Sequence, residues 1–96
     1  MEMFIFARFH SRPGNEDAVA AALLDVLVPT REEQGCQSIH AFRSIRDPQL
    51  FYIHSHWKDE VAFEYHAGLP HTVRFIERVE PLIDHFLDVT RAERIG

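Results

Sequence analysis

The chain has 96 residues, 46% of them hydrophobic and 26% charged, the size and balance of one globular domain over residues 1–96 rather than a disordered chain. Ten Lys and Arg stand against fifteen Asp and Glu, a formal net charge of −5 with no basic run, which argues against nucleic acid as a partner. A single cysteine, Cys36, rules out an internal disulfide and any multi-cysteine metal site. No stretch approaches the ~20 apolar residues of a spanning helix, so no membrane partner is expected. The opening MEMFIFARFH carries Glu2 and Arg8 and lacks a basic segment with a small-residue cleavage site, so it reads as a strand rather than a signal peptide. The expected setting is the reducing cytoplasm.

Residues 3–10 are β-rich and apolar on both parities until Arg8 and His10, the pattern of a strand covered on both faces. Ser11 to Gly14 breaks it. Asn15 is expected to cap a helix whose first turn carries Glu16 and Asp17 beside the positive end of the dipole. Val19, Ala22, Leu23, Val26 and Thr30 recur at helical spacing and form its packing face. Pro29 lacks a backbone donor, so the last turn should kink or loosen, and Gly35 is expected to stop the helix.

Residues 37–43 and 50–57 read as strands separated by the Asp47-Pro48 turn. Asp59 can cap a short helix with Ala62, Phe63, His66 and Ala67 on one face. Gly68 and Pro70 end it and start another, on which Thr72, Phe75, Ile76 and Val79 align as far as Pro81. Residues 85–92 alternate Leu87, Val89 and Arg91 against Phe86, Asp88 and Thr90, a last strand. The order βαββαβ predicts an α+β, ferredoxin-like fold, an antiparallel sheet with helices on one face. Helices on one face leave Phe4 and Phe6 uncovered. The expected partner is therefore a second copy, in a homodimer packed through the sheet faces.

Trp57 shares a strand parity with Phe51, Ile53 and Ser55. Facing the helices, its indole either fills the core with its N–H satisfied or forms a wall on which a small aromatic ligand stacks. His66 falls on the apolar stripe of its helix and so points toward the sheet. A neutral imidazole there can take a proton from a phenolic or quinol hydroxyl, or it is a buried histidine with both nitrogens bonded. His71, after Pro70 at a helix start, either orients a substrate oxygen or lies at the surface. His54 and His56 project from one strand face, a metal-ligand spacing that His40 or His10 could complete. That face is the one expected in the dimer, so a hydrogen-bonded interface cluster is preferred and no metal site is assigned. Cys36 reads as small buried packing rather than a nucleophile, and glycine-rich phosphate motifs are absent.

The run ARFHSRPGNED, then PTREEQGCQSIHAFR, then a strand ending in Trp57 followed by DEVAFEYH and PH resembles the antibiotic biosynthesis monooxygenase family over nearly the whole chain. The resemblance implies a dimeric α/β barrel. On the quinol-monooxygenase-like pattern it also implies oxidation of a small phenolic or quinol compound, with O2 as co-substrate and no cofactor. Two positions depart from the family. Ser55 stands where many relatives carry a glutamate two residues before the tryptophan, so that residue's proton-transfer role has no bearer here. Ala7 stands near an asparagine of the haem-degrading branch, which demotes haem degradation. His66, Trp57 and His71 are then the catalytic candidates, as base, stacking wall and accessory polar group. Phe63, Phe75 and Ser55 are the substrate-binding candidates. A non-catalytic binding or stress-response dimer stays open as the alternative, with a His-based metal site less favoured.

Overall fold

The strand β1 (Met3–His10) pairs on both edges and organises the sheet. In a computed structural model describing residues 1–96, it is followed by α1 (Glu16–Arg31), β2 (Cys36–Arg43), β3 (Leu50–Trp57), α2 (Glu60–Ala67) and α3 (Pro70–Val79). A 3₁₀ turn (Glu80–Leu82) then leads to β4 (Asp88–Ala92). The four strands run antiparallel in the order β2-β3-β1-β4, the ferredoxin-like arrangement. No helix is long and apolar enough to cross a membrane.

Alternation sorts the two faces of the sheet. Met3, Ile5, Ala7 and Phe9 of β1, with Phe51, Ile53, Ser55 and Trp57 of β3, are buried beneath the helices. Val19, Ala22, Leu23, Val26, Leu27 and Thr30 of α1 close over them. No helix covers the opposite face. There Phe4 stacks on His56 at 4.3 Å between ring centres, and Phe6 lies 4.8 Å from His54. Phe6 remains 50% exposed, Phe42 51% and Tyr52 39%.

Local chemistry accounts for the ends of the elements, and it departs from the sequence pattern in four places. Asn15 precedes α1, but its backbone is not extended and its side chain makes no capping bond; only its carbonyl takes the Val19 N–H, at 2.9 Å. The helix runs through Pro29 to Arg31 and then tightens instead of loosening. The N–H groups of Glu32 and Glu33 reach back three residues to Pro29 and Thr30, at 3.2 and 3.0 Å. The last strand starts at Asp88 rather than residue 85. His85 is spent elsewhere, accepting the His10 N–H at 2.9 Å and donating to the Phe86 carbonyl at 2.6 Å. Gly35 lies beyond the end of α1 and does not cap it. It sits where the backbone passes α2, and a Cβ there would collide with the Cβ of Ala62.

Asp59 caps α2, its side chain accepting the Ala62 N–H at 2.8 Å, and Pro70 opens α3. Because Ala62 has no flexible end to move aside, Gly35→Ala should displace α2. Overpacking of this kind costs about 1–3 kcal/mol. Urea denaturation should show the lowered midpoint; an unchanged one would mean that α2 is not held where Gly35 admits it.

Candidate functional site

Between the sheet and the helices lies a cavity of about 330 Å³. That is near the lower end of the ~300–1,000 Å³ typical of small-molecule sites, enough for a compact one- or two-ring ligand. Twelve of its seventeen lining residues are hydrophobic, so a few polar groups decide its chemistry. Phe63 and Phe75 are on its wall, with Ile5, Ala7, Ile53 and Leu87. The polar lining residues are Thr30, Ser55, His66, Thr72 and Arg91.

His66 occupies the last turn of α2 and is buried. Its Nδ1 lies 2.6 Å from Glu33 Oε2 and 3.3 Å from Thr72 Oγ1. The same carboxylate oxygen lies 2.7 Å from His71 Nε2. A carboxylate only accepts, so both facing ring nitrogens carry hydrogens. A neutral His66 with its proton on Nδ1 has a free lone pair on Nε2. Nε2 makes no hydrogen bond within the chain, and the ring lines the cavity. Burial pushes the His66 pKa below its ordinary 6.5; the hydrogen bond and charge of Glu33 pull it upward but do not outweigh burial.

Trp57 is buried and does not line the cavity, so it is not placed as a stacking wall for a ligand there. It packs against two residues that do, His66 at 4.6 Å and Phe63 at 5.6 Å between ring centres. Its Nε1–H donates to Ser55 Oγ at 2.9 Å. Ser55 thus takes up the indole N–H and lines the cavity at the same time. His71 also lies outside the main cavity. It borders a cleft of about 320 Å³ between α1 and α3, with Asp25, Arg74 and Arg78. Val26 and Phe75 are common to both spaces.

Glu33 is the side chain of the candidate site that the sequence pattern does not single out. It stands in an Arg-Glu-Glu run that reads as a solvated helix end, yet its side chain is only 10% exposed. Arg91 is the second such residue. It pairs with Glu60 and Glu64 of α2 at 2.7 and 2.9 Å and lies over the Phe63 ring, tying β4 to α2. The carboxylate pairs neutralise its charge beside the cavity.

The histidines of the outer face are engaged differently. His56 bonds Glu2 at 2.7 Å, and His54 sits between the rings of Phe4 and Phe6. His40 is opposite His54, but His10 is opposite Leu50, four residues from Phe6, or about 13 Å along the strand. His10 instead bridges Asp84 and Asp47, at 2.7 and 3.1 Å, and cannot complete a site with His54 and His56. The set with three ligand atoms within 4.8 Å of one another is Glu33, His66 and His71. Burial raises the Cys36 thiol pKa, which suits packing rather than nucleophilic attack.

The model of the antibiotic biosynthesis monooxygenase family matches residues 3–78, most of the chain. The chain belongs to this family. "Putative monooxygenase Rv0793" of Mycobacterium tuberculosis is 30% identical over 86 residues, covering 90% of this chain and 84% of its own. Superposed on the structure of Rv0793, the fold gives a TM-score of 0.94 at 26% identity, over 100% of this chain and 97% of the other. PA3566 of Pseudomonas aeruginosa gives 0.91 at 26% identity, over 99% and 95% of the two chains. Within the family fold, the Glu33 bridge thus links His66, on the wall of the main cavity, to His71, on the neighbouring cleft.

The opposing influences on the two bridged histidine clusters predict separate titrations. His66 should titrate below 6.5, and His10, raised by its bonds to Asp84 and Asp47, above it. The stability linked to His66 is whole above its unfolded pKa and is lost as pH falls toward its folded one. That linked to His10 is whole below its unfolded pKa and is lost as pH rises through its folded one. Histidine NMR of metal-stripped protein should resolve the two midpoints, and Glu33→Gln should lower that of His66 further. A His66 midpoint above that of His10 would contradict this balance.

Proposed function

We propose that this chain is a monooxygenase that oxidises a small phenolic or quinol compound with O2 and needs no cofactor. Family membership and the names of its relatives support a monooxygenase-like activity. The choice of substrate class rests on one observation: His66 lines a small, mainly apolar cavity with its Nδ1 fixed by Glu33 and its Nε2 free of any hydrogen bond within the chain.

In this scheme a quinol hydroxyl binds against His66 Nε2, which takes its proton. Glu33 stabilises the imidazolium through the Nδ1–H bond, and His71 holds the carboxylate from its other side. The quinolate ring, richer in electrons, reacts with O2. One oxygen atom enters the ring and the other leaves as water with two substrate hydrogens. Quinol and O2 thereby give hydroxyquinone and water, with the substrate as the only reductant. Ser55 Oγ–H has no acceptor within the chain and is available to a second substrate oxygen. Trp57 acts from behind, holding His66 and Ser55 in place. The apolar wall excludes water that would compete for the base.

The uncovered sheet face belongs to the same proposal. A second copy laid on Phe4, Phe6, Phe42 and Tyr52 would remove these side chains from water and bring the His54 and His56 rows of two chains together.

Oxygen uptake by metal-stripped, tag-free protein should be measured with menadiol, naphthols and anthrones, with protein-free controls for spontaneous oxidation. The proposal expects protein-dependent uptake, reduced about 100-fold or more in His66→Ala. Full activity in that variant would remove His66 from the mechanism; saturable quenching of Trp57 without uptake would make the protein a binder. For the outer face, the double change Phe4→Ser and Phe6→Ser should halve the particle mass in light scattering while the circular dichroism is retained. An unchanged mass would reject the sheet-to-sheet dimer.

A further inference from the structure

Glu33, His66 and His71 come from three separate segments: the turn between α1 and β2, the last turn of α2 and the first turn of α3. Their ligand atoms, one carboxylate oxygen and two imidazole nitrogens, all lie within 4.8 Å of one another. All three side chains are mostly buried, at 10%, 11% and 20% exposure. Thr72 Oγ1 adds a fourth polar atom, an oxygen 3.3 Å from His66 Nδ1. With both imidazoles neutral, the set carries one negative charge in a largely dry place. Two nitrogens, a carboxylate and a hydroxyl or water make a four-coordinate set suited to Zn²⁺.

We propose that Glu33, His66 Nδ1 and His71 Nε2 form a reversible site for a divalent metal of the Zn²⁺ class, and that metal bound there converts His66 from a proton acceptor into a donor. Ligand atoms around tetrahedral zinc stand about 3.3 Å apart. To reach that spacing the carboxylate oxygen, now 2.6 and 2.7 Å from the two nitrogens, has to withdraw by less than ~1 Å, and the two nitrogens, within 4.8 Å of one another, have to close by up to ~1.5 Å. The α1/α3 cleft bordered by His71 supplies a way in from solvent.

The tautomers give the consequence. Metal on Nδ1 displaces the hydrogen now shared with Glu33. A neutral imidazole then carries its proton on Nε2, the nitrogen without a partner in the chain. His71 changes in the opposite sense, from Nε2–H to Nδ1–H, and no net proton is released. Neither outer nitrogen, His66 Nε2 or His71 Nδ1, has a hydrogen bond within the chain to anchor the ligand, which favours reversible loading over a permanent structural metal. The effect on catalysis rests on the proposed oxidation; the binding does not.

The test is titration of metal-stripped, tag-free protein with Co²⁺ and Zn²⁺, read by the visible bands of four-coordinate Co²⁺ and by calorimetry. The expected result is one equivalent per chain, with Zn²⁺ displacing Co²⁺. Glu33→Gln, which keeps the side-chain shape, and His71→Gln should each weaken Zn²⁺ binding by at least about 100-fold. His54→Gln with His56→Gln should leave it unchanged. Nitrogen-15 NMR should show the His66 proton moving from Nδ1 to Nε2 as Zn²⁺ is added. Absence of binding, full affinity in Glu33→Gln and His71→Gln, or loss of affinity in the His54 and His56 variant would each overturn the site. Zn²⁺ bound at these three residues in a protein that oxidises none of the quinols would count for the site and against the catalytic reading. Oxidation by a protein that binds no Zn²⁺ would do the reverse.

Discussion

One carboxylate oxygen between two imidazoles is the constraint on which the site depends. Glu33 Oε2 meets His66 Nδ1 and His71 Nε2 at once, and because it only accepts, it fixes where both rings keep their hydrogens. The other nitrogen of His66, Nε2, is then a base rather than a donor. Burial keeps that base neutral by lowering its pKa, while Glu33 limits how far it falls. Without the carboxylate, the ring would lose both its orientation and the partner that stabilises its charged form. The same three residues give the site a second possible state, since an ion in place of the shared hydrogens reverses the polarity of His66.

The fold supplies this arrangement from elements that have little to do with one another in sequence. Gly35 lets α2 come close enough to the end of α1 for His66 to meet Glu33. Asp59 starts α2 in the phase that turns His66 and Phe63 inward, and Arg91 ties the helix to β4 through Glu60 and Glu64. Trp57 backs His66 and gives its N–H to Ser55. In this chain the position two residues before the tryptophan therefore serves the indole with a hydroxyl. In the proposed reaction the proton-accepting task falls to the histidine.

Much of this was legible in the sequence because it rests on short-range patterns. β-rich runs placed β1 and β3, strand parity put Phe51, Ile53, Ser55 and Trp57 on one face, and helical spacing placed His66, Phe63 and Phe75 on packing faces. Two-sided apolarity in β1 marked an outer face that no helix covers. What escaped depends on contacts between distant segments. Glu33 is 33 residues from His66 and 38 from His71, and nothing in an Arg-Glu-Glu run distinguishes a buried carboxylate from a solvated one. Gly35 looked like a helix stop because the neighbour that forbids its side chain, Ala62, lies on another element. Trp57 could be placed on the inner face, but whether it bordered a cavity or lay behind one depended on where His66 and Phe63 came to rest.

The account's central claim is that Glu33 holds His66 as an Nε2 base. The most direct measurement is the nitrogen-15 chemical shift of both His66 ring nitrogens, recorded on metal-stripped protein above the pH at which the ring titrates. The account predicts a protonated Nδ1 and an unprotonated Nε2, with this preference weakened in Glu33→Gln. A hydrogen on Nε2, or equal populations of both tautomers that ignore the Glu33 change, would contradict it.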